Sequence, residues 1–285
     1  MTPVESHPGS SPALSDIPRI DLHGFPFFKV SEAELVELVI AESGAGRGGW
    51  VITPNLDILR QGVQRPEIRN MLLRADVLVA DGMPLIWASR LERRPLPERV
   101  SGSHIIWSIP EAAAKSGRSI FLLGGAPGVA KACEGVLRER FPGLEITGTC
   151  CPAFGFEKDP AQIEAIRATV AAHPADIIFV ALSFPKGEIL IQKLRDSVPA
   201  AWWIGVGISF SFVAGDVKKA PRWMQATGLE WLHRLVQEPR RLARRYLIDG
   251  LPFAARLLIG SAWRGIRRPF AGRNSSPKTP RAGTG

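Results

Sequence analysis

The sequence is poor in cysteine. Its 285 residues include three, Cys133, Cys150 and Cys151, and an odd count with an adjacent pair is a weak disulfide framework. No CxxC and no Cys/His cluster at metal spacing occurs. A reducing compartment is the simpler expectation, and a chain of this length can hold its core by burial alone. Long apolar runs are missing as well. Residues 1–18 are rich in Pro and Ser without the apolar stretch of a secretory signal, and are expected to form a disordered leader. A membrane-spanning helix needs about 18 consecutive apolar residues or more. The best stretch, Leu247 to Trp263, is broken by Asp249, Pro252 and Arg256. Also absent is Asp-x-Asp, the acidic pair with which many sugar-nucleotide enzymes hold a divalent metal. The glycine-rich stretch Gly124-Gly125-Ala126-Pro127-Gly128 is neither G-x-G-x-x-G nor a Walker loop, which weakens a nicotinamide or P-loop reading.

What is present is unevenly placed. The net charge is +9, yet residues 1–233 carry 24 basic and 25 acidic side chains, and residues 234–285 carry 12 and 2. A neutral body with a basic tail points to a docking segment rather than to diffuse polyanion binding. In that tail Arg240, Arg241, Arg244 and Arg245 fall on one arc of an ideal helical wheel, opposite Leu242, Ala243, Tyr246 and Leu247. Beyond Pro252, Phe253, Leu257, Leu258, Trp263, Ile266 and Phe270 interleave with Arg256, Arg264, Arg267 and Arg268. A basic amphipathic segment with aromatics suits a membrane interface. The plainer alternative is a helix that packs its apolar side on the domain and leaves its arginines in water.

Between Ile20 and Phe212, short apolar runs alternate with stretches of helical spacing. Strands are expected at Trp50–Thr53, Val77–Ala80, Ile120–Leu123, Glu145–Gly148, Ile177–Ala181 and Trp202–Val206. Helices are expected near Glu32–Ser43, Leu56–Leu73, His104–Lys115, Gly128–Arg140, Pro160–Ala172 and Gly187–Ser197. The fold class is therefore α/β, a mostly parallel sheet with helices on both faces, plus a basic amphipathic C-terminal appendage. We expect a catalytic domain at 19–228, an appendage at 229–270 and a disordered tail at 271–285. In such sheets ligands bind beyond the carboxyl ends of the strands, where this chain places short polar and glycine-rich turns.

Asp81 closes one strand ahead of Gly82, as a general base, a ligand-binding acid or simply an Asp-Gly turn. Thr53-Pro54-Asn55 ends the strand before it, and Asn55 could cap the next helix. Arg99 sits in a loop, facing phosphate or solvent. Gly124-Gly125-Ala126-Pro127-Gly128 could turn N–H groups toward a diphosphate or be an ordinary strand-to-helix turn.

Taken in order, these segments resemble the WecG/TagA/CpsF glycosyltransferases, glycosyltransferase family 26, from roughly Ile20 to Tyr246. The matching stretches are Thr53-Pro54-Asn55, Ala80-Asp81-Gly82-Met83, Pro97-Glu98-Arg99-Val100-Ser101-Gly102 and Phe121-Leu122-Leu123-Gly124-Gly125. Further on come Pro185-Lys186 with Glu188, Gly205-Val206-Gly207, Ala220-Pro221-Arg222-Trp223-Met224, and Gly228-Leu229-Glu230-Trp231-Leu232-His233-Arg234-Leu235. The resemblance implies a Rossmann-like core and an inverting transferase that needs neither metal nor cofactor. It would move a hexose-type residue, such as N-acetylmannosamine or its uronic acid, from a UDP-sugar to a polyprenyl-diphosphate-linked saccharide. The setting would be cell-surface polysaccharide synthesis on an anionic membrane surface, with the protein cytoplasmic and peripheral on the inner face of the cytoplasmic membrane.

Asp81 falls on the family's proposed base, and Thr53, Asn55 and Arg99 on active-site positions. The resemblance puts Gly124, Gly125, Pro185, Lys186, Glu188 and Gly207 around the substrate, and Arg234, Arg241 and Arg244 over the donor diphosphate. The chain departs from the family pattern at Gly187, Ser183 and Ser211, where glutamine, glycine and aspartate are usual. The alternative reading is a weakened homologue serving as a membrane-associated scaffold in polysaccharide assembly. Nucleic acid is not an expected partner, and a homo-oligomer is compatible with the sequence though no pattern calls for it.

Overall fold

The computed structural model describes residues 14–217, 220, 221, 223, 224 and 228–267. Most of the expected leader and the whole tail after 271 lie outside the described residues, as do Arg222 and the side chain of Arg241.

Six strands form one parallel sheet: β3 (Gly49–Ile52), β4 (Val77–Leu78), β5 (Ser119–Gly124), β6 (Glu145–Cys150), β7 (Ile177–Ala181) and β8 (Trp202–Gly205). Their order is β4-β3-β8-β7-β5-β6. Every residue of β3 and β7 is buried, the signature of strands covered on both faces. Ahead of the sheet, β1 (Arg19–Leu22) and β2 (Phe25–Phe28) pair as an antiparallel hairpin. The sequence reading did not anticipate it, because four-residue strands with Pro26 and Gly24 among them carry little periodicity.

One face of the sheet is covered by α1 (Glu32–Gly44), α5 (Gly102–Ser116), α6 (Val129–Arg140) and α9 (Ser209–Ala214). The other carries α2 (Leu56–Gln64), α3 (Pro66–Leu73), α4 (Met83–Leu91), α7 (Pro160–Ala172) and α8 (Lys186–Leu194). The helix expected over Leu56–Leu73 is thus two helices. Arg65 is extended ahead of Pro66, which opens the second, as the restriction on a residue before proline requires. Ser31 caps α1 through a reciprocal capping box with Glu34.

The C-terminal region adds α10 (Glu230–Gln237), α11 (Pro239–Ala243), a π-helical turn at Arg244–Gly250 and α12 (Leu251–Arg267). The π turn takes up an extra residue and shifts the helical phase. Of the four arginines, Arg240 and Arg244 are exposed, while Arg245, at the edge of the expected arc, pairs with Asp57 on α2 at 3.0 Å. Along α12, Phe253, Leu257, Ser261 and Gly265 are buried at i, i+4 spacing, and the helix packs against α4. Phe253 and Leu257 join the main core. Gly265 is needed for this approach, since a Cβ there would lie 1.9 Å from the Leu91 carbonyl oxygen. Glu92, buried at the end of α4, accepts bonds from Ser261 Oγ at 3.0 Å and Arg264 Nε at 2.7 Å. Arg264 also donates to His23 Nε2, at the tip of the β1–β2 hairpin, at 2.8 Å.

Candidate active site

Three of the stretches singled out in the sequence lie side by side at the carboxyl rim. The Val79 N–H donates to the Ile52 carbonyl at 3.2 Å, Asp81 N–H to Pro54 at 3.0 Å, and Val100 N–H to Ala80 at 3.0 Å. Thr53, Asp81 and Arg99 are thereby lashed to one another through backbone. Thr53 is buried at the end of β3. Asn55 caps α2, its side-chain oxygen accepting from the N–H groups of Asp57 and Ile58, both at 3.0 Å. Its amide nitrogen is left as the end able to address a ligand. Gly82 has φ +152°, a conformation L side chains rarely adopt, and it starts α4 directly after the acid.

Asp81 is half-buried, keeping some solvent contact, with Arg99, Glu230, His104 and Arg234 as its charged neighbours around what we call the Asp81 recess. Burial dominates its electrostatics and pushes its pKa up from an ordinary 3.8 to about 7. The Arg99 guanidinium opposes the shift, Glu230 reinforces it, and His104 and Arg234 oppose it more weakly. A carboxyl poised near neutrality is what a general base requires. Arg99 is nearly buried, and its Nη1 is ion-paired with Glu230 Oε2. His104 Nδ1 lies 3.6 Å from Glu32 Oε2. Sequence reasoning gave neither His104 nor Glu230 a role. Glu230 belongs to a family-like stretch that gives it no particular function, and His104 carries no local sequence signal.

The far side of the rim is built around β5, β7 and β8. Gly124 (φ +109°) and Gly125 (φ +81°) follow the β5 chain past Ala181, whose carbonyl oxygen would lie 2.6 Å from a Cβ on Gly124. The Gly125 N–H is already spent on that carbonyl at 2.8 Å, so the glycine turn does not aim this donor at a ligand. Pro185 stands as the residue before α8, Lys186 opens the helix, and Lys186 Nζ is paired with Glu157 from the loop after β6. Glu188, in the first turn, is buried with Oε2 lacking a partner among the described residues, and burial pushes its pKa up to about 7. Its Oε1 occupies the notch over Gly205, where a Cβ would come within 2.8 Å. Gly207, with φ +58°, follows β8.

From the C-terminal region, α10 brings Glu230 and Arg234 to the Asp81 recess. Arg244 is exposed on the π turn, and Arg241 lies outside the described side chains. Among the described residues, no three His, Cys, Asp or Glu side chains gather as metal ligands.

A relative from Bacillus spizizenii, named N-acetylglucosaminyldiphosphoundecaprenol N-acetyl-beta-D-mannosaminyltransferase, is 34% identical over 199 residues, covering 70% of this chain and 75% of its own. Residues 20–267 match the profile of the Glycosyl transferase WecG/TagA/CpsF family. That match runs from the β1–β2 hairpin through the last residue of α12, so it spans Asp81 and its charged neighbours Arg99, His104, Glu230 and Arg234. The chain belongs to the WecG/TagA/CpsF family and is a glycosyltransferase.

Proposed function

We propose that this enzyme transfers an N-acetylmannosamine-type hexose from a UDP-sugar to a polyprenyl-diphosphate-linked saccharide, with inversion and without a metal. The observation that carries the reading is Asp81: a half-buried carboxyl near neutrality, with Arg99, Arg234 and His104 as neighbours. In the reaction an acceptor hydroxyl gives its proton to Asp81 as its oxygen attacks the donor's anomeric carbon. The bond from that carbon to the phosphate oxygen breaks, and UDP leaves with the electron pair. Arg99 and Arg234 stabilise the charge that develops on the diphosphate. Asp81 follows β4 and Gly207 follows β8, two strand spacings or about 10 Å apart, a span that a sugar diphosphate bridges. Thr53 and the Asn55 amide line the Asp81 side; Gly124, Gly125, Pro185, Lys186 and Glu188 line the other. Arg241 and Arg244 are assigned to donor closure on the family resemblance alone.

The reading also places the protein on the inner face of a cytoplasmic membrane. No helix among the described residues is long and apolar enough to cross one. Instead α12 shows two faces. Opposite its buried row, Ile259, Trp263 and Ile266 are 60%, 60% and 71% exposed, flanked by exposed Arg256 and Arg267. Apolar and aromatic side chains rimmed by cations suit an anionic interface, and would hold the recess beside a lipid-bound acceptor. Because Phe253 and Leu257 belong to the core, deleting this segment would test folding rather than docking. The sharper variant is Ile259→Glu with Trp263→Glu, which should abolish pelleting with anionic vesicles while Tm holds. Pelleting that survives in the folded variant would refute docking through this face.

The transfer itself is tested by UDP release with a panel of UDP-sugars and a short-chain polyprenyl-diphosphate-GlcNAc acceptor. Acceptor-dependent release from one donor, lost in Asp81→Asn and indifferent to EDTA, is the expected outcome. Silence across donors from folded protein would favour a noncatalytic assembly role.

A further inference from the structure

In the Asp81 recess the nearest cation is already taken. Arg99, only 12% exposed at its side chain, is ion-paired with Glu230, itself 26% exposed. Glu230 is the first residue of α10, and Arg234 stands one turn further on. A guanidinium engages a carboxylate and a phosphate through the same fork of N–H donors. An anionic donor arriving at Arg99 therefore meets a carboxylate in the position it must occupy, and two anions cannot both hold one fork without repulsion. The opposite side of the rim repeats the arrangement, with Lys186 held by Glu157. Arg99 and Lys186 thus each rest on a carboxylate of the protein.

We propose that Glu230 is a placeholder carboxylate, occupying on Arg99 the site of the donor's diphosphate, so that donor binding expels it and releases α10 from its resting seat. The inference rests on the donor being a nucleoside-diphosphate sugar. Residues four apart share a helix face and lie about 6 Å apart along its axis. Sliding α10 by that distance replaces Glu230 with Arg234 at the same spot. One movement thus withdraws a negative charge and delivers a positive one. Glu230 is a positioning residue here, because it acts through Arg99 and α10 and never touches the reacting atoms. It also keeps the ligand-free recess nearly neutral, which spares Arg99 the cost of standing unpaired while largely buried.

The test is UDP binding by calorimetry to the full chain, comparing wild type, Glu230→Gln, Arg99→Ala and the double variant. Removing the competing charge should tighten UDP about tenfold, the scale of one partly buried ion pair. The gain should vanish in the Arg99→Ala background. Donor KM should fall in parallel, and the acid limb of kcat/KM should move to lower pH, since that parameter reports the free enzyme and Glu230 helps raise Asp81. Hydrogen exchange gives a readout independent of turnover: amides of 230–237 should gain exchange when UDP is added to wild type, and already show it in Glu230→Gln. Unchanged or weaker UDP affinity in folded Glu230→Gln, or a gain that persists without Arg99, would overturn the placeholder role. Failure of folded wild type to bind UDP would instead overturn the donor assignment, and this inference with it.

Discussion

Replacing Asp81 by asparagine should remove activity and also stabilise the protein, with a pH dependence that identifies the cause. A carboxyl whose folded pKa is raised from 3.8 to about 7 favours its protonated form in the fold. By linkage, the stability it contributes is fully present below 3.8 and is lost as pH rises through about 7. At 1.36 kcal/mol per pH unit the loss is at most about 4 kcal/mol. Asp81 retains some solvent contact, so we take about half, roughly 2 kcal/mol. Asparagine has nearly the same shape and no charge to desolvate. For a chain of this size 1 kcal/mol moves Tm by about 2–4 °C, so Asp81→Asn should melt some 4–8 °C higher at pH 8. At pH 5 most of that gain should disappear. Thermal melts of both proteins at the two pH values decide the matter, with kcat/KM of wild type falling about tenfold per pH unit below about 7 as the kinetic counterpart. An equal Tm difference at both pH values, or a less stable Asp81→Asn at pH 8, would refute the desolvated-base argument.

Further outcomes follow from the same geometry. Glu188→Gln should also raise Tm at pH 8 more than at pH 5, because burial keeps this acid's pKa at about 7; equal shifts would show that Glu188 is not destabilised by ionisation. Gly265→Ala puts a methyl 1.9 Å from the Leu91 carbonyl oxygen and should cost about 1–3 kcal/mol by overpacking, read in urea melts; a neutral effect would mean α12 is not seated on α4 as described. His23 has its pKa lowered by burial and by Arg264, against Glu92 and Asp21. Its contribution to seating α12 is therefore present above pH 6.5 and lost as pH falls through the lowered value. Amide exchange in 251–267 should rise with acidification in wild type but not in His23→Asn, since asparagine tolerates the φ of +56° there and carries no titrating group.

The inner strands of the sheet are legible because they are covered on both faces. Buried parallel strands read as short unbroken apolar runs, and Ile177–Ala181 was located to the residue. Turn chemistry was also readable: Asn55 caps α2 as its position suggested, and Asp81 stands at the rim. Local signals failed where the structure defies period. Helix α4 begins on Met83-Pro84 straight after the Asp-Gly turn, which hides its start. Least legible was what meets Asp81. Arg99 comes from a loop, His104 from α5, and Glu230 and Arg234 from α10, up to 153 positions away in sequence, and only the tertiary fold brings them together. Charge patterning showed a basic tail; it could not show that an acid in the first turn of α10 occupies Arg99.

The bond between His23 and Arg264 joins residues 241 positions apart, and this bears on how the protein is made. A chain emerging from the ribosome completes the β1–β2 hairpin early and the sheet much later. Until residue 264 appears, Glu92 has neither Ser261 nor Arg264, and the α4 surface that Leu257 and Gly265 will cover stays open. The nascent protein therefore carries an apolar flank on α4 until α12 has been made. A nascent or truncated chain that lacks α12 exposes that flank, and an exposed apolar surface of this kind favours aggregation.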